Sequence, residues 1–189
     1  LDQIAGTAIY SRQAILDEAH VVQPGEDLER IAESYNVPLQ LLAKINGIRD
    51  PRSLRPGMPL KVVRGPFQAV INLDSHKLTL MVNGYYAGHF PIGVGTDHTK
   101  LEGSYTVQAK MVNPDYYNPK NGARIPAGDR NNPLGRRWIN LGEQIGIHGT
   151  NDPSSIGTSQ AAGSICLGDR DIDDVYDILS IGSRVTIRR

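Results

Sequence analysis

The feature that most restricts the fold is a change of period at Gly65-Pro66. Before it, apolar residues recur with helical spacing. Leu28, Ile31, Ala32 and Tyr35 fall at i, i+3, i+4 and i+7, one face of a helix that Asp27 is placed to cap. Asn36-Val37 interrupts that helix. Pro38 suits the first position of a second one, with Leu41, Leu42 and Ile45 turned inward and Asn46-Gly47 closing it. Val21-Val22 ahead of the turn Pro24-Gly25, and Leu60 to Val63 after the turn Pro56-Gly57, read as short flanking strands. Residues 20–64 are therefore expected to form a strand-helix-helix-strand module. Residues 1–19 form an N-terminal lead-in with a helix-compatible run around Ser11 to Ala19.

After Gly65-Pro66 the period is two, as on half-buried strands. Phe67 to Leu73 and Lys77 to Val82 read as strands, and Asn83-Gly84 is a hairpin turn into Tyr85 to Ile92. Gly93 to Lys100 reads as a loop and Gly103 to Lys110 as one strand. Met111 to Arg137 is long, irregular and rich in proline, with a Tyr116-Tyr117 pair; it suits either a wall of a substrate groove or a surface excursion. Trp138 to Leu141 resumes β structure, with Trp138 read as core. Asp171 is placed to cap a helix whose Ile172, Val175, Tyr176 and Leu179 share a face; Gly182 ends it, and Arg184 to Arg188 is a closing strand. The fold class is α+β: a small module, then a mostly-β domain with one helix over residues 65–189.

Composition narrows the partners. Twenty basic and twenty acidic residues cancel. No basic surplus is available to attract nucleic acid or an anionic membrane surface. No apolar run approaches the ~20 residues of a membrane helix, so no membrane span is expected, and no signal or anchor is read in this chain. A single cysteine, Cys166, rules out an intrachain disulfide. The histidines lack metal-ligand spacing with Cys166 or any carboxylate, and the acidic run Asp169 to Asp174 lacks the ligand pattern of a calcium loop. Its simplest place is a helix N-terminus. Neither a metal nor a cofactor is expected.

The chemistry concentrates in Ile147-His148-Gly149-Thr150-Asn151, Ser155-Ile156-Gly157 and Ala162-Gly163-Ser164-Ile165-Cys166-Leu167. A histidine with a thiol or hydroxyl nucleophile is what acyl transfer requires. Along Ile145-Gly146-Ile147-His148 the alternation turns the isoleucines to the core and His148 towards a groove. If the run after Gly163 is extended, Ser164 and Cys166 share a face about 6.5 Å apart.

These motifs resemble the L,D-transpeptidase (YkuD-type) family, whose signature joins Ile-His-Gly-Thr-Asn to a Ser-Ile-Gly loop and then Ser-His-Gly-Cys-Ile-Arg. Aligned without gaps, Gly163 and Ile165 agree with the last element. Ala162 stands in place of its histidine, Ser164 in place of its cysteine and Cys166 in place of its arginine. Likewise Val22-x-Pro-Gly-x-Asp-Leu28-x-x-Ile31-Ala32-x-x-Tyr35, Asn46 and Leu54-x-Pro-Gly-x-x-Leu60-x-Val62 resemble a LysM domain.

The resemblance implies a peptidoglycan L,D-transpeptidase working through an acyl-enzyme, susceptible to carbapenems, in the bacterial periplasm or cell wall. Its partners would be glycan strands and stem peptides. It implies His148 as base, backbone around Gly163 and Gly149 at the oxyanion, and a glycan site at Gly25, Asp27, Leu28, Arg49 and Asp50, in loops without an aromatic platform. Two nucleophiles remain open. Ser164 keeps the family register, 164 − 148 = 16. Cys166, at 166 − 148 = 18, carries the more reactive group. The alternative is a catalytically impaired peptidoglycan-binding protein that retains the fold.

Overall fold

The computed structural model describes residues 18–96, 101–118, 121–161 and 163–189. The lead-in run before Glu18, His98 and Ala162 lie outside them. Packing divides the chain into two compact units. One holds the described residues up to Gln68 with Leu80–Gly88; the other holds Ala69–Thr79 and His89–Arg189.

In the first unit, β1 (His20–Val21) pairs antiparallel with β2 (Pro59–Leu60), and two helices lie between them in sequence: α1 (Leu28–Ser34) and α2 (Leu39–Asn46). The Asp27 carboxylate caps α1 by accepting from Arg30 N–H. Pro38 is the N-cap of α2 rather than its first helical residue. Its ψ of 134° is extended, yet its carbonyl accepts from Leu42 N–H at 2.9 Å. Gly47, at φ 66°, ends α2 in the left-handed conformation that glycine tolerates. Leu28, Ile31, Leu41, Leu42 and Ile45 form the core, each at most 2% exposed. Asn46 locks the last turn to the returning chain: its amide donates to the Leu42 and Lys61 carbonyls, and its oxygen accepts from Lys61 N–H.

Beyond this module the chain builds two five-stranded sheets. The strands are β3 (Phe67–Asn72), β4 (Lys77–Val82), β5 (Tyr85–Pro91), β6 (Gly93–Val94), β7 (Gly103–Thr106), β8 (Ala109–Val112), β11 (Arg137–Gly142), β12 (Ile145–His148), β13 (Ile165–Cys166) and β14 (Arg184–Arg188). A small hairpin of β9 (Tyr116–Tyr117) and β10 (Arg124–Ile125) stands apart. One sheet has the order β5-β4-β3-β14-β7, the other β6-β13-β12-β11-β8.

Three expectations change. Gly93-Val94, read as loop, is a strand, because it pairs with β13, more than seventy residues later. The run Gly103 to Lys110 is two strands. β7 pairs with β14 and β8 with β11, and the chain changes sheets at Val107-Gln108, whose amides donate to Ser183 and Asn140. The last helix, α3 (Asp169–Ile178), starts two residues before Asp171, with Gly168 as N-cap. Its acidic first turn complements the helix dipole. Ile172, Val175 and Ile178 are buried, while Asp173 is gripped by Arg136 at 2.7 Å and Arg137 at 2.8 Å. Lys110 and Arg137 lie over the Tyr176 ring, so α3 braces β8 and β11 from one side.

Candidate active site

His148 ends β12, in register with Trp138 of β11 on one side and Cys166 of β13 on the other. All four residues of β12 are buried, so the expected contrast between core-facing isoleucines and a groove-facing histidine is not seen: the imidazole is fully enclosed. Trp138 stacks on it, ring centroids 5.5 Å apart and planes 17° apart. Gly163 closes the other side: a Cβ there would lie 2.3 Å from Nε2. Only glycine fits, and its φ of 76° asks for glycine independently.

The tautomer follows from the contacts. His148 Nδ1 lies 2.6 Å from the Gly149 carbonyl, which can only accept, so Nδ1 carries the proton. Nε2 then presents a lone pair, buried and without a hydrogen-bond partner among the described residues. Burial holds the imidazole pKa down at about 4, against a smaller opposing effect of the Gly149 bond. The ring is neutral at pH 7. Gly149 contributes its carbonyl to this arrangement, and its amide donates to Arg137 at 3.2 Å. That amide is already engaged, which differs from the oxyanion role expected of it.

Ser164 and Cys166 meet different surroundings. The strand begins only at Ile165, so the alternation expected to align the two does not reach Ser164. Ser164 lines a groove, its hydroxyl 3.5 Å from the Gln144 carbonyl. Cys166 is 1% exposed. Its sulfur lies 3.5 Å from Ser155 Oγ, and a Cβ on Gly93 would come within 2.7 Å of it. Burial pushes the thiol pKa up, partly offset by contacts with Ser155, Gly93 and Thr150. Ser155, in turn, donates to the Asp152 carbonyl and holds the loop after His148.

The groove is about 550 Å³, with Trp138 in its lining, Tyr116 and Tyr117 along one side and the β11–β12 turn at Glu143-Gln144 along another. The Met111 to Arg137 segment thus supplies a wall. It is pinned by its own contacts: Asp115 accepts from Ala127 N–H and pairs with Arg124, and the buried Asn132 amide donates to the Pro114 carbonyl. Trp138, read as core, is half-buried and lines the groove. Its place was readable only through the β11–β12 hairpin, which sets it opposite His148.

The small module carries a separate cleft of about 300 Å³, lined by Asp27, Leu28, Glu29, Leu39, Pro51 and Arg52. Of the residues expected at a glycan site, Asp27 and Leu28 line this cleft and Gly25, Arg49 and Asp50 do not. Asp50 instead caps the 3-10 turn Pro51–Ser53 by accepting from Arg52 N–H, so it shapes the cleft from outside. Among the described residues, no three His, Cys, Asp or Glu side chains are grouped to hold a metal, and no helix is long and apolar enough to cross a membrane.

Residues 66–187 match the family model of the L,D-transpeptidase catalytic domain, and residues 20–63 match that of the LysM domain. The chain is 30% identical over 175 residues to the putative L,D-transpeptidase YkuD of Bacillus subtilis, covering 89% of this chain and 97% of that protein. It is also 30% identical to the probable L,D-transpeptidase YcfS of Escherichia coli, over 89% of this chain and 61% of that one. A crystal structure of an L,D-transpeptidase from Mycobacterium tuberculosis shares the fold at a TM-score of 0.55 and 19% identity, over 71% of this chain and 63% of that one. This chain therefore spans under two thirds of that structure. The motif around His148, the sheet that carries it and these matches together establish that the chain belongs to the L,D-transpeptidase family of enzymes, with a LysM domain ahead of its catalytic domain.

Proposed function

We propose that residues 65–189 catalyse acyl transfer on the peptide stems of peptidoglycan with Ser164 as nucleophile and His148 as base, while residues 20–64 hold the enzyme to glycan strands outside the cytoplasmic membrane. The observation that carries this reading is the unprotonated, unpartnered His148 Nε2, packed against Gly163, the residue before Ser164. A base needs a lone pair directed at the nucleophile's proton. An alcohol, unlike a thiol, depends on such a base. Cys166 has the more reactive group but is enclosed by Ser155 and Gly93 with its pKa raised.

In the proposed reaction Ser164 Oγ attacks the carbonyl carbon of the stem's diamino acid, and its proton passes to His148 Nε2. The carbon–nitrogen bond to D-alanine breaks, and the leaving amine takes the proton from His148. An ester acyl-enzyme remains, which the amine of a second stem, or water, resolves. Backbone N–H groups at Gly163 and Ser164 are assigned to the developing oxyanion. The glycan site is assigned to the cleft at Asp27, Leu28 and Arg52.

A second reading, a binding protein with impaired catalysis, is favoured by one observation. Ser164 Oγ contacts the Gln144 carbonyl, and no hydrogen bond joins it to His148. Intact-protein mass spectrometry after incubation with a carbapenem, followed by peptide mapping, separates the cases. An adduct on Ser164 supports the serine enzyme, and one on Cys166 overturns its nucleophile. No adduct, together with no turnover of a tetrapeptide stem, leaves the binding protein.

A further inference from the structure

The groove beside Ser164 is lined by aromatic rings, neutral amides, glycines, an aliphatic side chain and a hydroxyl, with one carboxylate among them. Among the described residues Glu143 is its only charged lining residue. It sits in the turn joining β11 to β12, next to Gln144, whose carbonyl contacts the Ser164 hydroxyl at 3.5 Å. That carboxylate therefore stands one residue from a contact with the proposed nucleophile.

The turn itself is unusual for the residues it uses. Gly142, Glu143 and Gln144 follow one another at φ 89°, 50° and 63°. A turn with positive φ at two central positions favours asparagine or glycine, and the chain's other such hairpin uses Asn83-Gly84. Glu and Gln occupy these positions against that preference, at a cost on the order of 1 kcal/mol each. The β-bulge between Asn140 and Gly142, held by the Asn140 side chain accepting from Gly142 N–H at 2.9 Å, re-aims the turn towards the groove. Glu143 is exposed and forms no ion pair among the described residues. Its charge also contributes, after burial, to raising the Tyr105 phenol pKa.

A carboxylate without an ion pair among the described residues, on a strained turn in a groove otherwise neutral, is complementary to a cation. We infer that Glu143 is the residue by which this groove recognises an alkylammonium group on its peptide substrate, and so selects stems whose diamino acid keeps a free side-chain amine. The inference rests on the proposal that the groove receives stem peptides, but not on which residue is the nucleophile. The ammonium could belong to the stem being cleaved or to the stem that accepts it, and the two differ in the step they affect.

The test is a binding measurement on the full chain with two probes, read by isothermal titration or NMR. One is a tetrapeptide with a diamino acid third and D-alanine fourth. The other is the same peptide acetylated on the side-chain amine. The wild-type protein is expected to prefer the free amine by about two- to fivefold at low salt, the range of an exposed ion pair. The preference should shrink as salt rises, vanish in E143Q and reverse in E143K. Equal affinity for the two peptides in the wild type, or a preference unchanged in E143Q, overturns the inference.

The carbapenem adduct is scored separately. A charge preference with an adduct on Cys166, or with neither an adduct nor turnover of a tetrapeptide stem, upholds ammonium recognition while overturning the serine nucleophile. With turnover measured, loss of the preference in hydrolysis of the single stem assigns the ammonium to the donor. Loss only in transfer to an added amine assigns it to the acceptor.

Discussion

Ser164 and Cys166 are two residues apart and have opposite surroundings. The serine opens on a groove with a histidine lone pair behind its neighbour, whereas the cysteine is shut between Ser155 and Gly93. Intrinsic reactivity ranks the thiol first, and position ranks the hydroxyl first. A nucleophile must reach both its substrate and its base, so a buried sulfur with a raised pKa loses the advantage that its chemistry confers. Chain direction makes the difference. Cys166 lies within β13, paired on both sides, while Ser164 lies in the bend before the strand begins.

The largest effect that tests this contrast is on acylation. S164A is expected to abolish the carbapenem adduct in intact-mass spectra, while C166A retains it. S164C should acylate about tenfold faster or more, since a thiol would then occupy the groove position. Acylation of C166A at the wild-type rate sharpens the contrast, and its loss breaks it.

Next comes Gly163, which lies between Ser164 in the chain and the imidazole of His148 in space. G163A introduces a Cβ where Nε2 lies, at a φ of 76° that disfavours it. Turnover should fall by about 100-fold or more through displacement of the base, and stability by about 2 kcal/mol. Rates and urea midpoints measured side by side separate the two.

A third prediction concerns pH. The His148 pKa is depressed to about 4 in the folded chain, against 6.5 when unfolded. Between those values the unfolded state binds more protons. The associated stability is therefore complete above pH 6.5 and is lost as pH falls towards 4, amounting to about 3 kcal/mol. Urea unfolding of the wild type should weaken across this window, and the H148Q variant should show a flatter profile.

The smallest effect belongs to the buried side. Cys166 should resist alkylation in the native protein and react only on unfolding, with C166A costing about 1 kcal/mol. Rapid labelling of the folded chain by a thiol reagent would show that the sulfur is reachable.

Much of the fold was legible because its elements are local. The helical face at Leu28, Ile31 and Ala32, the cap at Asp27, the stop at Gly47 and the turn at Asn83-Gly84 each depend on residues within one turn of each other. The errors fall where distant pairing decides. Gly93-Val94 is a strand only because β13 returns to it, and the Gly103 to Lys110 run splits because its halves belong to different sheets. Trp138 was read as core because a lone tryptophan carries no sign of which surface it lines; the β11–β12 pairing makes it the stacking partner of His148.

The sequence alone determined that two modules follow one another, and that His148, Gly163, Ser164 and Cys166 fall within one stretch of the second. Period, turn residues and motif spacing are properties of the chain itself. Only the tertiary structure decided which of the two candidate side chains meets the groove, which nitrogen of His148 keeps its proton, and that Glu143 stands beside them. Burial, tautomer and electrostatic complementarity depend on what other strands bring near a residue, and those strands are tens of residues away.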